Sequence, residues 1–466
     1  MKNSNPFFGN SIPRVLVAAI IVGVFSSCQP RSYYQDLIDF VNTIPIINTH
    51  EHQRFPAPRE EGQEFNFYHI LQPAYVNSDV ISAGAPYFDM KKINEGNLDE
   101  LWNTYGEYLD YSRNTSFYSQ LVSGFKVLYG FEDQYFSQKN IEELSEKIRI
   151  NYSDEEQWYS DAVEKAGYVT MFLDQYWDSF NSEINKDYFT LVFNINAIVY
   201  DAANKPPVSA NYDHIGITYR QAIDEGYKIH SLDDYLGFFD TLLESFIDAG
   251  AVTLKNTLAY GRSLDFQDVP YERANELYNR NSSGLNNEER KELQDFMLHS
   301  IVKKSIKAGL PMQIHTGYLA GTGNTLQNSN PTKLNNLFLK YRDARFVLFH
   351  GGFPWTGEFN ALGKMFPNVY LDLVWLPQIS RESAILAFDQ MLDCVPYNKI
   401  FWGGDCHSIE ESAGSLEFGK DIVATVLANR IERGLMTGDL AREIAISIFH
   451  DNAVRFFKLD TGHSIM

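Results

Sequence analysis

The chain alternates short, nearly continuous apolar runs with longer stretches in which apolar residues recur at helical spacing. Apolar runs without polar alternation are typical of parallel strands that are covered on both faces. Eight such runs predict eight strands, at 45–50, 168–173, 190–194, 251–255, 312–315, 345–350, 369–373 and 400–405.

Helical stretches separate the later runs. Apolar spacing predicts a helix over 232–249, and a stretch that begins with acidic residues predicts another over 286–308. Strands that alternate with helices indicate an α/β protein built as a closed (β/α)8 barrel, with an open doubly wound sheet as the alternative. No repeat or Gly/Ser linker divides the chain, so we expect one barrel domain over 29–466.

The gap between the first and second runs is too long for a single crossover helix. Residues 53–166 are helical and aromatic in character, as the segment 101–108 illustrates. They follow the first strand on the face where barrel active sites lie. We therefore predict a helical insertion that forms a lid or substrate-binding subdomain, and a packing elaboration without a catalytic part is the alternative.

Side chains that bind metals or carry charge stand at the carboxyl ends of five predicted strands. These residues are His50 with His52, Lys255, His315, His350 and Asp405. Because strand ends converge on one mouth of a barrel, we expect these side chains to meet there. Imidazole nitrogens and carboxylate oxygens are ligands of borderline divalent cations, so the pattern predicts a metal site.

The segment His50–Glu51–His52 suits such a site, because residues i and i+2 of a strand point to the same face. His315 and His350 end strands beside glycines, where the backbone turns and leaves room for a ligand. We interpret His315 as a contact of the metal or the water. His350 then polarises the water or the substrate, or is itself a ligand, and a buried structural histidine is the alternative for each.

Asp405 closes the eighth run, directly after Gly404. A carboxylate beside a divalent ion accepts a proton from a water whose pKa the ion lowers to about 7, which makes Asp405 the candidate catalytic base. A helix N-cap is the structural alternative. For His407, two residues further on, the sequence does not decide between a contact with the substrate and an exposed side chain.

In their order along the chain, these strand ends resemble those of the amidohydrolase superfamily. The segments 348–354 and 368–373 look like its amidohydrolase-related branch, which contains hydrolases and non-oxidative decarboxylases. The resemblance covers about residues 40–460. It implies a distorted (β/α)8 TIM-like barrel with one divalent ion, usually Zn²⁺. It also implies metal ligands at His50, His52, His315 and Asp405, and proton transfer by Asp405.

The resemblance leaves the role of Lys255 open. Binuclear members of the superfamily carry a carboxylated lysine that bridges two ions at the end of the fourth strand, where Lys255 lies. We favour the interpretation that Lys255 is an unmodified ammonium, which binds a substrate carboxylate together with Arg262. A structural role for Lys255 is the third interpretation. The insertion is similar to that of uronate isomerases, so the reaction type is also open.

The first 28 residues are predicted to be a signal peptide. Lys2 and Arg14 flank an apolar run of eleven residues at 15–25, which is too short for a membrane-spanning helix of about 20 residues. Small residues before Cys28 resemble the bacterial lipoprotein signal, and an ordinary cleaved signal is the alternative. We expect an exported lipoprotein anchored to a membrane of the bacterial cell envelope. Cys394 and Cys406 are too few for a disulfide scaffold.

The net charge excludes one class of partner. Sixty acidic and 39 basic side chains give a formal charge of −21, which disfavours nucleic acid and suits a hydrated surface. The leading hypothesis is a metal-dependent hydrolase of a small anionic substrate. Uronate isomerisation or decarboxylation at the same site is the second hypothesis, and an inert binding lipoprotein is the third.

Overall fold

The computed structural model describes residues 32–60, 62–207, 210–280 and 282–460. The predicted signal peptide and Cys28 lie outside these residues. Eight strands lie within or beside the predicted runs. They are Ile46–Glu51 (β1), Tyr168–Leu173 (β2), Phe189–Asn194 (β3), Thr253–Asn256 (β4), Met312–Ile314 (β5), Phe346–Leu348 (β6), Val369–Asp372 (β7) and Ile400–Phe401 (β8).

The strands form one parallel sheet in the order of the sequence, from β1 to β8. Backbone hydrogen bonds also connect the two outermost strands. Asp405 N–H donates to the His50 carbonyl at 2.7 Å, and Thr49 N–H donates to the Trp402 carbonyl at 3.3 Å. The sheet therefore curls into a nearly closed barrel. This confirms the predicted (β/α)8 architecture over the open sheet.

Helices surround the barrel and fill the long connections. The first half of the described chain contains Tyr33–Val41 (α1), Phe67–Leu71 (α2), Val76–Ser82 (α3), Met90–Glu95 (α4), Leu98–Tyr111 (α5), Ser116–Tyr129 (α6), Gln138–Ser153 (α7), Glu155–Ala166 (α8), Asn196–Ala202 (α9), Ile217–Asp224 (α10) and Leu232–Ala249 (α11). The second half contains Tyr271–Asn279 (α12), Asn287–Ala308 (α13), Asn335–Lys340 (α14), Thr356–Met365 (α15), Leu376–Ile379 (α16), Arg381–Cys394 (α17), Ile409–Glu432 (α18), Gly438–Ile446 (α19) and Asn452–Phe457 (α20).

Helix α11 shows why the helix bounds follow from local sequence. Ser231 caps its first turn in a capping box with Asp234, and Gly250 ends it with a φ of 101°. Such residues satisfy the free N–H groups at the start and allow the left-handed turn at the end. Because both signals are local, the predicted span of 232–249 agrees with the structure. No helix of the described chain is long and apolar enough to cross a membrane.

Helices α2 to α8 form the insertion between β1 and β2, and α6 packs tightly on α18 of the barrel. A side chain on Gly124 of α6 would overlap the Glu410 carbonyl, and one on Gly414 of α18 would overlap the Gln120 carbonyl. The buried Glu410 carboxylate also accepts a hydrogen bond from Tyr129 of α6 at 2.6 Å. The insertion is thus anchored to the helix that follows strand β8.

Candidate metal centre

Three of the predicted ligands meet at the mouth of the barrel. Strand β1 places His50 and His52, and the turn after β8 places Asp405 opposite them. The Oδ1 atom of Asp405 lies 3.6 Å from Nε2 of His50 and 3.1 Å from Nε2 of His52. All three side chains are buried or nearly so. The structure therefore brings these donor atoms to one point.

The backbone around this point adopts an uncommon conformation. Asp405 has a φ of 61° and His350 a φ of 67°, values that residues other than glycine rarely adopt. Glu51 holds the Asp405 turn, because its Oε2 accepts the N–H of Cys406 at 2.8 Å. A side chain on Gly404 would overlap the Glu51 carboxylate. Strain of this kind is typical of sites where geometry serves function.

Asp174 is a further candidate ligand that the sequence analysis missed. Ligand atoms of His50, His52 and Asp174 lie within 4.8 Å of one another. Asp174 directly follows β2, and Asn194 Nδ2 donates to its Oδ1 at 2.9 Å. The Asp174 carbonyl accepts from Nδ1 of His52 at 3.0 Å, which leaves Nε2 of His52 as the ligating atom. A carboxylate at the end of an apolar run was the available sequence signal.

His315 and His350 form a buried imidazole pair beside this cluster. Nε2 of His315 donates to the Tyr318 carbonyl at 2.7 Å, and Nδ1 of His315 lies 2.9 Å from Nε2 of His350. Burial lowers the pKa of His350 to about 3 and holds that of His315 well below its ordinary value, so both rings are neutral. Nε2 of His315 is thus engaged by Tyr318, while Nδ1 faces the His350 ring. The His315 side chain also lines the cavity at the barrel mouth, and its predicted contact with a metal or a water stays a prediction.

His350 lies behind the metal-site residues. Its Nδ1 is 3.7 Å from Oδ2 of Asp405 and 3.2 Å from the Val374 carbonyl. The side chain is fully buried and does not line the cavity described below. His350 therefore supports the His315 ring, whereas its Nδ1 is beyond hydrogen-bond distance of Asp405.

Lys255 is the last residue but one of β4, and its side chain points into the same cluster. Its Nζ lies 2.9 Å from Nε2 of His50 and 3.7 Å from the centre of the Phe349 ring. Burial lowers the pKa of this lysine to about 8, against the opposing charges of Asp405 and Asp174. Burial of the charged ammonium thus costs free energy, and the ammonium faces the hydrogen-bond acceptors of His50, Asp174 and Asp405.

The cluster suits a divalent cation. Lys255 donates into the lone pair of His50 Nε2, so this nitrogen is presented as an acceptor, while Nδ1 of His50 is buried without a hydrogen-bond partner. Burial, and then the Lys255 charge, hold the pKa of His50 well below its ordinary value. Burial opposes ionisation of Asp405 most strongly, but the hydrogen bond from His52 and the charges of the neighbouring histidines together outweigh it and hold the pKa of Asp405 well below its usual range. His50 as a neutral imidazole and Asp405 as a carboxylate have the protonation states that metal ligation requires, and a metal ion would replace the proton that Nε2 of His52 shares with Asp405.

The structure does not bring Arg262 to this group. Its guanidinium forms a buried ion pair with Asp295 of α13 and donates to the Ser263 carbonyl at 3.1 Å. Arg262 does not line the cavity at the barrel mouth. Lys255 is therefore the cation that this cavity offers to a substrate.

A cavity of about 390 Å³, which we call the catalytic cavity, opens above the cluster. Its polar wall includes Lys255, Asp174, Asp405, His315 and His407. Four tyrosines complete it: Tyr75, Tyr176, Tyr200 and Tyr260. Tyr75 belongs to the insertion, so the insertion takes part in the cavity as well as in packing.

Comparison with known proteins finds similarity to an amidohydrolase family over part of the chain. Residues 271–459 match the family model described as amidohydrolase. A segment of 252 residues is 29% identical to protein fluG of Emericella nidulans, and it covers 48% of this chain and 29% of that protein. The chain thus spans less than a third of the length of the curated relative it matches.

Two solved structures share the fold over nearly their whole length. Glucuronate isomerase from Caulobacter crescentus has a TM-score of 0.72 at 17% identity, and the match covers 93% of this chain and 95% of that one. Uronate isomerase from Thermotoga maritima has a TM-score of 0.72 at 15% identity, with 91% and 97% covered. At this identity the likeness concerns the fold, including the helices inserted after β1.

Proposed function

We propose that this chain, which matches the amidohydrolase family model over residues 271–459, belongs to the amidohydrolase superfamily and is a metal-dependent hydrolase of a small anionic substrate. One observation carries the proposal, namely the convergence of Nε2 of His50 and His52 on the Asp405 carboxylate. These three residues would hold the ion, with Asp174 as a further oxygen donor. Nitrogen and oxygen donors in this combination suit Zn²⁺. A bound ion would lower the pKa of a water and polarise a carbonyl group.

The side chains supply the remaining chemistry. Asp405 accepts a proton from the attacking water and returns it to the leaving group, because its carboxylate is ionised and faces the catalytic cavity. Lys255 binds an anionic group of the substrate as the cation of this cavity. His350 supports the His315 ring through the contact at 2.9 Å between Nε2 of His350 and Nδ1 of His315.

Uronate isomerisation is the second candidate. It is supported by the two isomerase structures, whose likeness to this chain extends over more than nine-tenths of each. In that reaction a basic side chain of the cavity moves a proton between adjacent carbons of an open hexuronate. Decarboxylation and a purely binding role are further outcomes of the test below.

The test uses purified protein reconstituted with Zn²⁺ or Mn²⁺ and a panel of N-acyl amino acids, lactones, carboxylated aromatics and hexuronates. Hydrolysis adds the mass of water, decarboxylation removes that of CO₂, and an isomer separates only by chromatography. We expect hydrolysis in the wild type and at least a hundredfold lower kcat in Asp405→Asn. A folded wild type that binds neither metal ion would contradict both enzymatic candidates.

We also propose that the mature protein begins at Cys28 and is held to a membrane of the cell envelope by lipid. The support is the apolar run at 15–25, followed by small residues and a cysteine.

A further inference from the structure

A second cavity of about 730 Å³ lies next to the catalytic cavity. We call it the side chamber. Residues that follow β1, together with helices α2, α7 and α8 of the insertion, supply most of its wall. Three residues, His52, Tyr176 and His407, border both cavities. The two cavities therefore adjoin at the metal-site residue His52.

Aromatic rings form the junction between the cavities. The Tyr176 ring stands perpendicular to that of His52 at 4.9 Å between centres, and His407 stacks on His52 at 5.6 Å. Nδ1 of His407 is buried without a hydrogen-bond partner, 3.7 Å from the Glu411 carboxylate. Tyr176 is about half exposed, so it offers a ring face to a ligand that passes the junction.

The side chamber is balanced in charge, unlike the catalytic cavity. The Arg59 guanidinium is paired with the Glu155 carboxylate, which also accepts the N–H of Ala57 at 2.6 Å. The other two ionised side chains on its wall, Arg54 and Glu60, are exposed and of opposite sign.

The uncharged part of the wall combines aromatic and aliphatic side chains with side-chain amides, among them Gln53 and Gln63. Phe65, Ile70 and Tyr159 contribute to it, and burial lowers the pKa of His69, which keeps that ring neutral at physiological pH. A wall of this composition suits an uncharged aromatic or cyclic group.

Each cavity lies within the range of about 300–1,000 Å³ that holds one small molecule. Two such cavities that adjoin at a metal site suit a substrate with two parts. We propose that the substrate is a conjugate whose anionic part binds beside Lys255 and whose larger uncharged part fills the side chamber. The bond to be cleaved then lies at the junction. This inference rests on the proposed hydrolase and names its substrate class.

The cleavage step balances for an amide conjugate. The oxygen of water bonds to the acyl carbon, the bond from that carbon to nitrogen breaks, and one proton of the water ends on the amine. Asp405 carries this proton, and no oxidant or further reactant takes part. A single hexuronate needs only the catalytic cavity, so the side chamber favours the hydrolase over the isomerase.

The test compares N-acetyl amino acids with their N-(2-naphthoyl) analogues, which differ only in the part assigned to the side chamber. Ala57→Phe narrows the chamber at a residue that does not contact the metal cluster. Ala83→Phe is the matched control, because Ala83 is exposed and lines neither cavity. Calorimetric titration of the zinc-loaded protein measures binding, and product analysis measures kcat/KM.

We expect the wild type to bind the naphthoyl member of at least one pair at least tenfold more tightly than the acetyl member. Ala57→Phe should remove most of that preference and Ala83→Phe should retain it. Equal affinity for both members in the wild type, or an unchanged preference in a folded Ala57→Phe variant, would overturn the side chamber as a subsite. If the preference and its loss are found but no product forms, the subsite stands and the hydrolase proposal fails.

Discussion

Nζ of Lys255 lies 2.9 Å from Nε2 of His50, the nitrogen that converges with His52 on Asp405. A cationic side chain thus addresses the same lone pair that a metal ion would use. A bound ion would compete with the ammonium for this nitrogen, and in the proposed function the ammonium would also bind the anionic substrate. Lys255 would therefore connect metal affinity to substrate affinity.

Replacement of Lys255 by methionine should separate these two effects. Loss of the positive charge should strengthen binding of Zn²⁺ at least tenfold, because a like charge near the ion is removed. The KM for an anionic substrate should rise at least tenfold. Metal titration and steady-state kinetics measure the two quantities, and Lys139→Met, at an exposed position, is the control. Weaker metal binding in Lys255→Met would instead indicate a carboxylated lysine that ligates the metal.

Asp174→Asn tests the ligand that the structure adds to the set. The substitution keeps an oxygen for the hydrogen bond from Asn194 but removes the charge beside His50 and His52. We expect metal affinity to fall at least tenfold and the metal-dependent rise in Tm to shrink accordingly. Asp178→Asn, at an exposed position four residues further on, is the control. Equal metal content in both variants would remove Asp174 from the site.

The barrel was predictable because buried parallel strands leave a continuous apolar signature. Several predicted runs extend past the ends of the observed strands. The eighth run was predicted to extend over 400–405, whereas β8 ends at Phe401 and the chain then turns through Asp405 with a φ of 61°. A continuous apolar run does not indicate at which residue the backbone hydrogen bonds between neighbouring strands end.

The part of the site that consists of residues at strand ends was predictable from the sequence. His50, His52 and Asp405 meet because topology alone brings strand ends together. The ion pair of Arg262 depends on Asp295 of α13, which is a long-range contact without a local sequence signal. The side chamber likewise depends on how the insertion packs, which a pattern of apolar residues does not specify.

Cys28→Ala tests the predicted lipid anchor, which lies outside the described residues. The variant lacks the thiol that receives lipid, so we expect it to move from the membrane fraction to the soluble fraction of the producing cells. Cys394→Ala, which leaves the signal intact, should stay with the membranes. An unchanged distribution of Cys28→Ala would favour the ordinary cleaved signal or another means of attachment.

Gly414→Ala tests the anchoring of the insertion. A methyl group there would overlap the Gln120 carbonyl of α6, so the two helices must separate. We expect the free energy of unfolding to fall by about 1–3 kcal/mol. Gly438→Ala is the matched control, since its nearest neighbour would be Arg442 Nη1 at 4.0 Å. Equal stability of the two variants in urea unfolding would show that the crossing of α6 and α18 tolerates a wider spacing.

Asp79 of α3 should make stability depend on pH. Burial raises the pKa of its carboxyl from 3.8 to about 6, and Oδ2 has no hydrogen-bond partner. A raised pKa means that the folded state binds the proton more tightly than the unfolded state. The stability contributed by Asp79 is therefore full below pH 4 and is lost as the pH rises through 6.

Asp79→Asn should remove this loss. At one pKa unit per about 1.4 kcal/mol, and with a discount for the partial exposure of Asp79, the variant should be about 2 kcal/mol more stable than the wild type at pH 7. The difference should vanish near pH 4. Urea unfolding of both proteins across this range measures it, and the exposed Asp343→Asn provides the baseline. A difference that does not change with pH would show that Asp79 is ionised at little cost in the folded protein.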